Sequence, residues 1–254
     1  MVKVVFILGL AGSGKTMLTR SLLEWFKISK QPVASLNLDP GVLNLPYEPS
    51  IDIREYINIW DLMQKYSIGP NSALIMSMDL AIEFIEHINR EIRRMNPKLL
   101  IIDTPGQMEI FAYRMIGKYL VEFLEAEEKM IIFVMDALFV KDPKNLVSNI
   151  LLGVSVRLRF DIPMIYVLNK IDMLNEEEEK RIRRWFKNSF YLQEELEKHY
   201  SPDEVSLLVR IFRLIKSHNL LMDYIPLSAL TLENVDILIQ ALTRILFRGE
   251  EKEW

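Results

Sequence analysis

Near the start of the chain, Gly9-Leu10-Ala11-Gly12-Ser13-Gly14-Lys15-Thr16 fits the pattern G-x-x-x-x-G-K-[ST]. Ordinary glycine usage would produce this by chance in roughly one chain of this length in a hundred. The chemistry explains each residue type. Gly12, Ser13 and Gly14 let the loop curl so that its N–H groups surround a β-phosphate, and a following helix N-terminus adds positive potential. Lys15 would neutralise charge on the β- and γ-phosphates, and the Thr16 hydroxyl would ligate Mg²⁺. A carboxylate is needed to hold that ion, and Asp103-Thr104-Pro105-Gly106 supplies one at the end of the apolar run LLIID. D-x-x-G is uninformative by spacing alone, but it becomes telling at the C-terminal end of a buried strand, where ligands of α/β sheets bind. There Asp103 would orient Mg²⁺ through water and the Gly106 N–H would meet the γ-phosphate. Gln107 follows at a position suited to orienting an attacking water; read otherwise, it is a polar residue at a helix start. Asp39 closes another apolar run, SLNLD, as a second Mg²⁺-shell ligand or water-positioning carboxylate, with an Asx-Pro turn as its plainer role. Glu109 ranks third among the candidates for polarising the water.

A second cluster speaks to the base. Asn169-Lys170-Ile171-Asp172 fits N-K-x-D. The Asp172 carboxylate can accept from guanine N1–H and the 2-amino group together, whereas adenine would leave it unpaired, and sites built on such bonds discriminate strongly. Asn169 can tie this loop to the phosphate loop, and the Lys170 stem can cover a ring face. Ser228-Ala229-Leu230 follows later, with the Ala229 N–H as a donor to guanine O6. The order of these segments along the chain favours GTP over ATP.

Positioning such residues requires a particular scaffold. VKVVFILG (2–9), PVASLNL (32–38), KLLIIDT (98–104), KMIIFVMD (129–136), PMIYVLN (163–169) and DYIPLS (223–228) are rich in β-branched residues and do not alternate, as strands buried on both faces do. Helical patterns separate them, so the expected fold is α/β: a doubly wound, mostly parallel sheet flanked by helices. Helices are expected over 15–30, over IREYINIWDLMQKY (53–66), and over 73–94 up to Asn96-Pro97. Another opens at Ser201-Pro202 with Glu204 completing a capping box. In EEEEKRIRR (176–184), Glu176–Lys180, Glu177–Arg181 and Glu179–Arg183 have the spacing of a solvated helix face. VSLLVRIFRLI is apolar on more than one face, and double packing in the core is preferred to a partner groove.

One domain is expected over 1–254, with insertions at 42–97 and 173–222. The 254 residues are 50% hydrophobic and carry a net charge of −4, which favours neither nucleic acid nor an anionic membrane as a partner. No apolar run approaches the ~20 residues of a membrane span. Cysteine is absent, which excludes thiolate chemistry and fits a cytoplasmic setting.

With GLAGSGKT (9–16), NLDPG (37–41), Gly69-Pro70-Asn71, DTPGQME (103–109), NKID (169–172) and SAL (228–230), nearly the whole chain resembles the GPN-loop GTPases. This family belongs to the signal-recognition-particle/MinD-like class of P-loop proteins, and the chain is most similar to its archaeal homodimeric type. Gly-Pro-Asn read alone is a turn in which Gly69 ends one helix and Asn71 caps the next. The resemblance implies instead a homodimer in which Gly69, Pro70 and Asn71 of one subunit approach the γ-phosphate site of the other. Leu10 and Ala11 stand where related proteins place a second lysine. Gly41 departs from the Ala that many family members carry there. The resemblance also implies a GTP-hydrolysing switch in assembly of a protein complex, such as RNA polymerase in the eukaryotic members, with a client the sequence does not name. Two alternatives stay open, a P-loop kinase for a small molecule and a nucleotide-stabilised scaffold with negligible turnover.

Overall fold

A computed structural model describes residues 2–221 and 223–247; the ends of the 1–254 span, and Met222 at the close of 173–222, lie outside the described residues. The first half of the chain runs β1 (Lys3–Gly9), α1 (Lys15–Ile28), β2 (Val33–Asn37), β3 (Ile51–Asp52), α2 (Ile59–Tyr66), α3 (Pro70–Leu80), α4 (Ile85–Met95), β4 (Leu99–Asp103), α5 (Met108–Ala112) and α6 (Met115–Phe123). The second half adds β5 (Glu128–Asp136), α7 (Pro143–Phe160), β6 (Met164–Asn169), α8 (Glu176–Lys187), α9 (Ser189–Glu197), α10 (Pro202–Ser217), β7 (Tyr224–Pro226) and α11 (Val235–Leu246).

All strand pairs are parallel, in the order β3-β2-β4-β1-β5-β6-β7. The sheet therefore matches the expected class. Alternate side chains of β1 serve two cores. Val4, Phe6 and Leu8 pack toward the helices from α3 to α10, while Val5 and Ile7 pack against α1 and α11. Burial on both faces is why these strands read as unbroken apolar runs. β1 lies centrally, with β4 on one side and β5 on the other, so the chain reverses direction across the sheet there. The C-terminal edge of that switch point is where α/β sheets bind ligands.

The segments between the strands depart from expectation in several places. β3, a seventh strand, pairs Leu36 with Ile51 and Asn37 with Asp52; two residues are too few to show a period. The helix expected over 53–66 divides into a 3₁₀ turn at Ile53–Glu55 and α2, because the Asn58 side chain caps α2 by accepting from Trp60 and Asp61 N–H. Gly69 does not end α2: Ser67, left-handed at φ 52°, does so. Gly69 is instead the N-cap of α3, with Pro70 at its first position and Asn71 inside the first turn.

The helix expected over 73–94 is two helices joined by a 3₁₀ turn at Ala81–Phe84. Burial recurs at Met78, Ala81, Ile85, Ile88 and Ile92, three and four apart, and the tightened turn keeps that stripe on one face. Asn96, left-handed at φ 45°, ends α4 before Pro97 as expected.

The capping of α10 is as expected, with Glu204 Oε2 accepting from the Ser201 N–H at 3.3 Å. Double packing of α10 is not what is found. Val205, Val209, Phe212 and Ile215 are buried, while Leu207 and Leu214 are about 60% exposed. On α8, Lys180–Glu176 and Arg183–Glu179 pair as read, whereas Arg181 lies over the Trp185 ring. Among the described residues no single helix is long and apolar enough to cross a membrane; only α2 with the 70–95 pair reaches that length, bent by 113°.

Candidate functional site

β1 ends at Gly9, and the chain turns through left-handed residues at Gly12 (φ 77°) and Gly14 (φ 93°) into α1. Gly14 has no alternative: a Cβ there would stand 2.2 Å from Asn169 Nδ2. The turn folds Lys15 back over its own loop, where Nζ donates to Gly9 O (2.9 Å), Leu10 O (3.1 Å) and Gly106 O (3.3 Å). Lys15 is buried, and desolvation lowers its pKa against the opposing pull of Asp103, Asp39 and Glu109.

Asp103 ends β4 in register beside Ile7 of β1 and Asn37 of β2. It is 1% exposed, and burial raises its carboxyl to about 6, although Thr16, Tyr47 and Lys15 pull the other way. Oδ2 accepts from the Tyr47 hydroxyl at 3.1 Å, and Oδ1 has no partner. Burial and Asp103 together drive the Tyr47 pKa upward. Thr104 anchors the following turn by donating from Oγ1 to Ile7 O (2.6 Å).

Asp39 reaches this cluster from beyond β2. Its Oδ1 accepts from Gly41 N (2.9 Å) and its Oδ2 from Gly106 N (3.2 Å). The amide expected to face the γ-phosphate is thus engaged by Asp39. Gln107 is the N-cap of α5 without a side-chain capping bond, and Glu109 is exposed in the first turn of that helix. Gly69, Pro70 and Asn71 are exposed. Among the described residues no hydrogen bond joins them to the loop of residues 9–16.

The base side is built on Asn169. Nδ2 donates to Ser13 O (2.9 Å), the tie expected from sequence, and Oδ1 accepts from Ala229 N (2.9 Å). The Ala229 N–H, expected to face guanine O6, is therefore spent on Asn169. Ser21 Oγ holds the same loop by donating to Ala229 O (2.6 Å), and Ser228 Oγ accepts from Thr231 N (3.1 Å). Leu230 is exposed. Lys170, left-handed at φ 69°, extends its ammonium to Gly12 O and Asp136 Oδ2, both at 2.6 Å. Asp172 is exposed at the rim.

Sequence reading missed Asp136, Tyr47 and the trio Asn37, Asp52 and Arg54. Asp136 had a visible signal, since it ends the apolar run KMIIFVMD as Asp103 ends LLIID. Tyr47 had none, because its partner lies 56 residues away.

A protein-family profile described as "Conserved hypothetical ATP binding protein" matches residues 7–247. The GPN-loop GTPase PAB0955 of Pyrococcus abyssi is 37% identical over 191 residues, which is 74% of this chain and 75% of that protein. GPN-loop GTPase 1 of Schizosaccharomyces pombe is 29% identical over 98% of this chain and 70% of its own length. The crystal structure of PAB0955, a GTPase in apo form, superposes with a TM-score of 0.85 at 31% identity, covering 97% of this chain and 98% of that one. The profile's wording says ATP and the relatives' names say GTP; the N-K-x-D segment at the end of β6 sides with the relatives. The chain belongs to the GPN-loop GTPases, and it is a GTP hydrolase.

Proposed function

We propose that the chain hydrolyses GTP to GDP and phosphate with Mg²⁺, by in-line attack of water on the γ-phosphate, as one half of a homodimer. The observation that carries this reading is the hydrogen-bonded cluster of Lys15, Asp39 and Gly106 beside Asp103 at one sheet edge. The residues fit the metal. Asp103 offers a buried oxygen with no partner, and Thr16 lies close enough to act on its pKa. Among the described residues no group of three or more acidic or histidine side chains is built for a metal. One carboxylate and one hydroxyl suit Mg²⁺, which takes much of its coordination from substrate phosphates and water. When bound, the ion would neutralise charge on the β- and γ-phosphates.

The chain's own groups do the positioning. Loop N–H groups and Lys15 cradle the β-phosphate, and a γ-phosphate takes the Gly106 N–H from Asp39. The freed Asp39 carboxylate then orients the water, with Gln107 beside it and Glu109 behind. Electrostatic positioning of this kind carries most of phosphoryl-transfer catalysis. Asp172 reads guanine, with Lys170 across the ring.

Dimerisation is supported by the surface around Gly69-Pro70-Asn71. α2 buries none of its residues, and Leu43, Trp60 and Tyr66 are 73%, 57% and 46% exposed. A partner covering this face would bring its own Asn71 to the γ-phosphate. Nucleotide-dependent closure of such a dimer is a switch that assembly of a protein complex can use, in the cytoplasm where GTP is supplied.

The test is phosphate release from GTP and ATP, each with and without Mg²⁺. Release only from GTP and only with Mg²⁺ is expected. Equal use of ATP would remove the guanine reading, and GTP binding without turnover would leave a scaffold.

A further inference from the structure

Asp39 sits on a loop, yet its backbone N–H and C=O are both hydrogen-bonded, as a strand residue's are. The buried Asn37 amide takes both of its polar groups, accepting from Asp39 N (3.1 Å) and donating to Asp39 O (3.2 Å). The same Nδ2 donates to Asp52 Oδ1 at 2.9 Å, across the β2–β3 pair. Asp52 in turn receives Arg54: Nε lies 3.0 Å from each carboxylate oxygen and Nη2 lies 2.6 Å from Oδ2. The free arm of the guanidinium, Nη1, crosses to the far end of the loop and donates to Val42 O (3.0 Å) and Leu43 O (3.4 Å). Asn37 and Asp52 are 0% and 7% exposed, and among the described residues the hydrogen bonds of the three side chains run to one another and to the 39–43 segment, not to the phosphate loop.

Burying a carboxylate against a partly exposed guanidinium is a poor way to gain stability, because desolvation offsets the attraction. The arrangement has a different virtue. A planar fork can satisfy a carboxylate and two carbonyls at fixed angles, which an ammonium cannot. The segment 39–43 is thereby held at Asp39 by Asn37 and at Val42 and Leu43 by Arg54, while the Asp39 carboxylate reaches Gly106 N.

We propose that Asn37, Asp52 and Arg54 form a positioning unit for Asp39, setting where its carboxylate stands when the γ-phosphate takes the Gly106 N–H. The proposal rests on the role given to Asp39 above. None of the three residues touches substrate; they act through the loop.

Arg54→Ala, Arg54→Lys, Asp39→Asn and the double variant Asp39→Asn/Arg54→Ala test it, each in the full chain, with single-turnover hydrolysis, GTP affinity and thermal melting measured. The expected result is that kcat falls about tenfold or more in both Arg54 variants, since small misplacements are costly, while GTP affinity stays within about twofold. The double variant should be no slower than Asp39→Asn alone. Millimolar guanidinium should restore turnover to Arg54→Ala and not to Arg54→Lys. A merely structural role would lower the melting temperature and leave kcat of the folded protein unchanged, and that result overturns the proposal. If Arg54→Ala does not fold, Arg54→Lys decides alone on kcat against affinity. Full turnover in Asp39→Asn would overturn the Asp39 reading itself, whereas a slow Asp39→Asn beside a wild-type Arg54→Lys would sink only the positioning unit.

Discussion

Asp172 stands exposed just past β6, its carboxylate free to meet a base edge, with Lys170 fixed two residues earlier by Gly12 O and Asp136. The role proposed for it turns on charge: a carboxylate accepts two hydrogen bonds from guanine, whereas a carboxamide offers one acceptor and donors. Asp172→Asn should therefore exchange GTP for XTP, whose 2-oxo group accepts from the new amide. The loss of GTP use is expected to be on the order of a hundredfold or more, given what unpaired polar groups cost in such sites. Competition of both nucleotides for a fluorescent GDP analogue measures it; unchanged GTP preference would remove Asp172 from the base site. Legibility at this scale followed spacing. Lys15, Asp103 and Asn169 announce themselves because each lies within a short pattern at a strand end. Asp52 and Tyr47 do not, because their partners are distant in sequence and no local period marks them.

α2 and α3 form the element that the sequence described least well. The apolar pattern over 53–94 shows helices, but the breaks are local: the Asn58 side chain caps α2, the left-handed backbone of Ser67 ends it, and a 3₁₀ turn divides the next segment. Capping by Asn58 competes with helix continuation through a single hydrogen-bonded side chain, and pattern counting cannot weigh that. The sheet was far easier to read, because strands buried on both faces carry unbroken apolar runs; only β3, held by two residues, escaped. Asn71 lies exposed in the first turn of α3, and in the proposed dimer it serves the partner's site. Asn71→Ala should therefore slow hydrolysis about tenfold or more with little loss of GTP affinity, as removal of an interaction made only at the transition state does. Sedimentation alongside the kinetics checks the model in trans: a fully active monomer would refute it. α3 itself should stay intact, since Gly69 and Pro70 supply the start of the helix.

For the whole molecule, the site joins elements from both halves of the chain: the 9–16 loop, Asp39 and β4 from one, β6 and the 228–230 loop from the other. Anything that binds this assembled edge stabilises the entire fold. At ~100 times its Kd a nucleotide adds about 2.7 kcal/mol, which for this size of chain raises Tm by roughly 5–10 °C. GDP with Mg²⁺ should give this shift in a thermal melt and ADP a much smaller one; equal shifts would count against base selection. One amide spans the joint between the two halves, beside the ties made by Lys170 to Gly12 O and by Ser21 to Ala229 O. Asn169 grips Ser13 O with one atom and Ala229 N with the other, so the phosphate loop, its own strand and the last loop share one side chain. The two ends of a nucleotide therefore meet parts that cannot adjust separately. Guanosine and pyrophosphate, offered as separate fragments, should each bind more tightly in the presence of the other. That mutual gain should vanish when Asn169 is shortened to alanine, while the affinity of pyrophosphate alone falls less. The linkage between recognising a base and holding a phosphate would then be a property of one residue's reach.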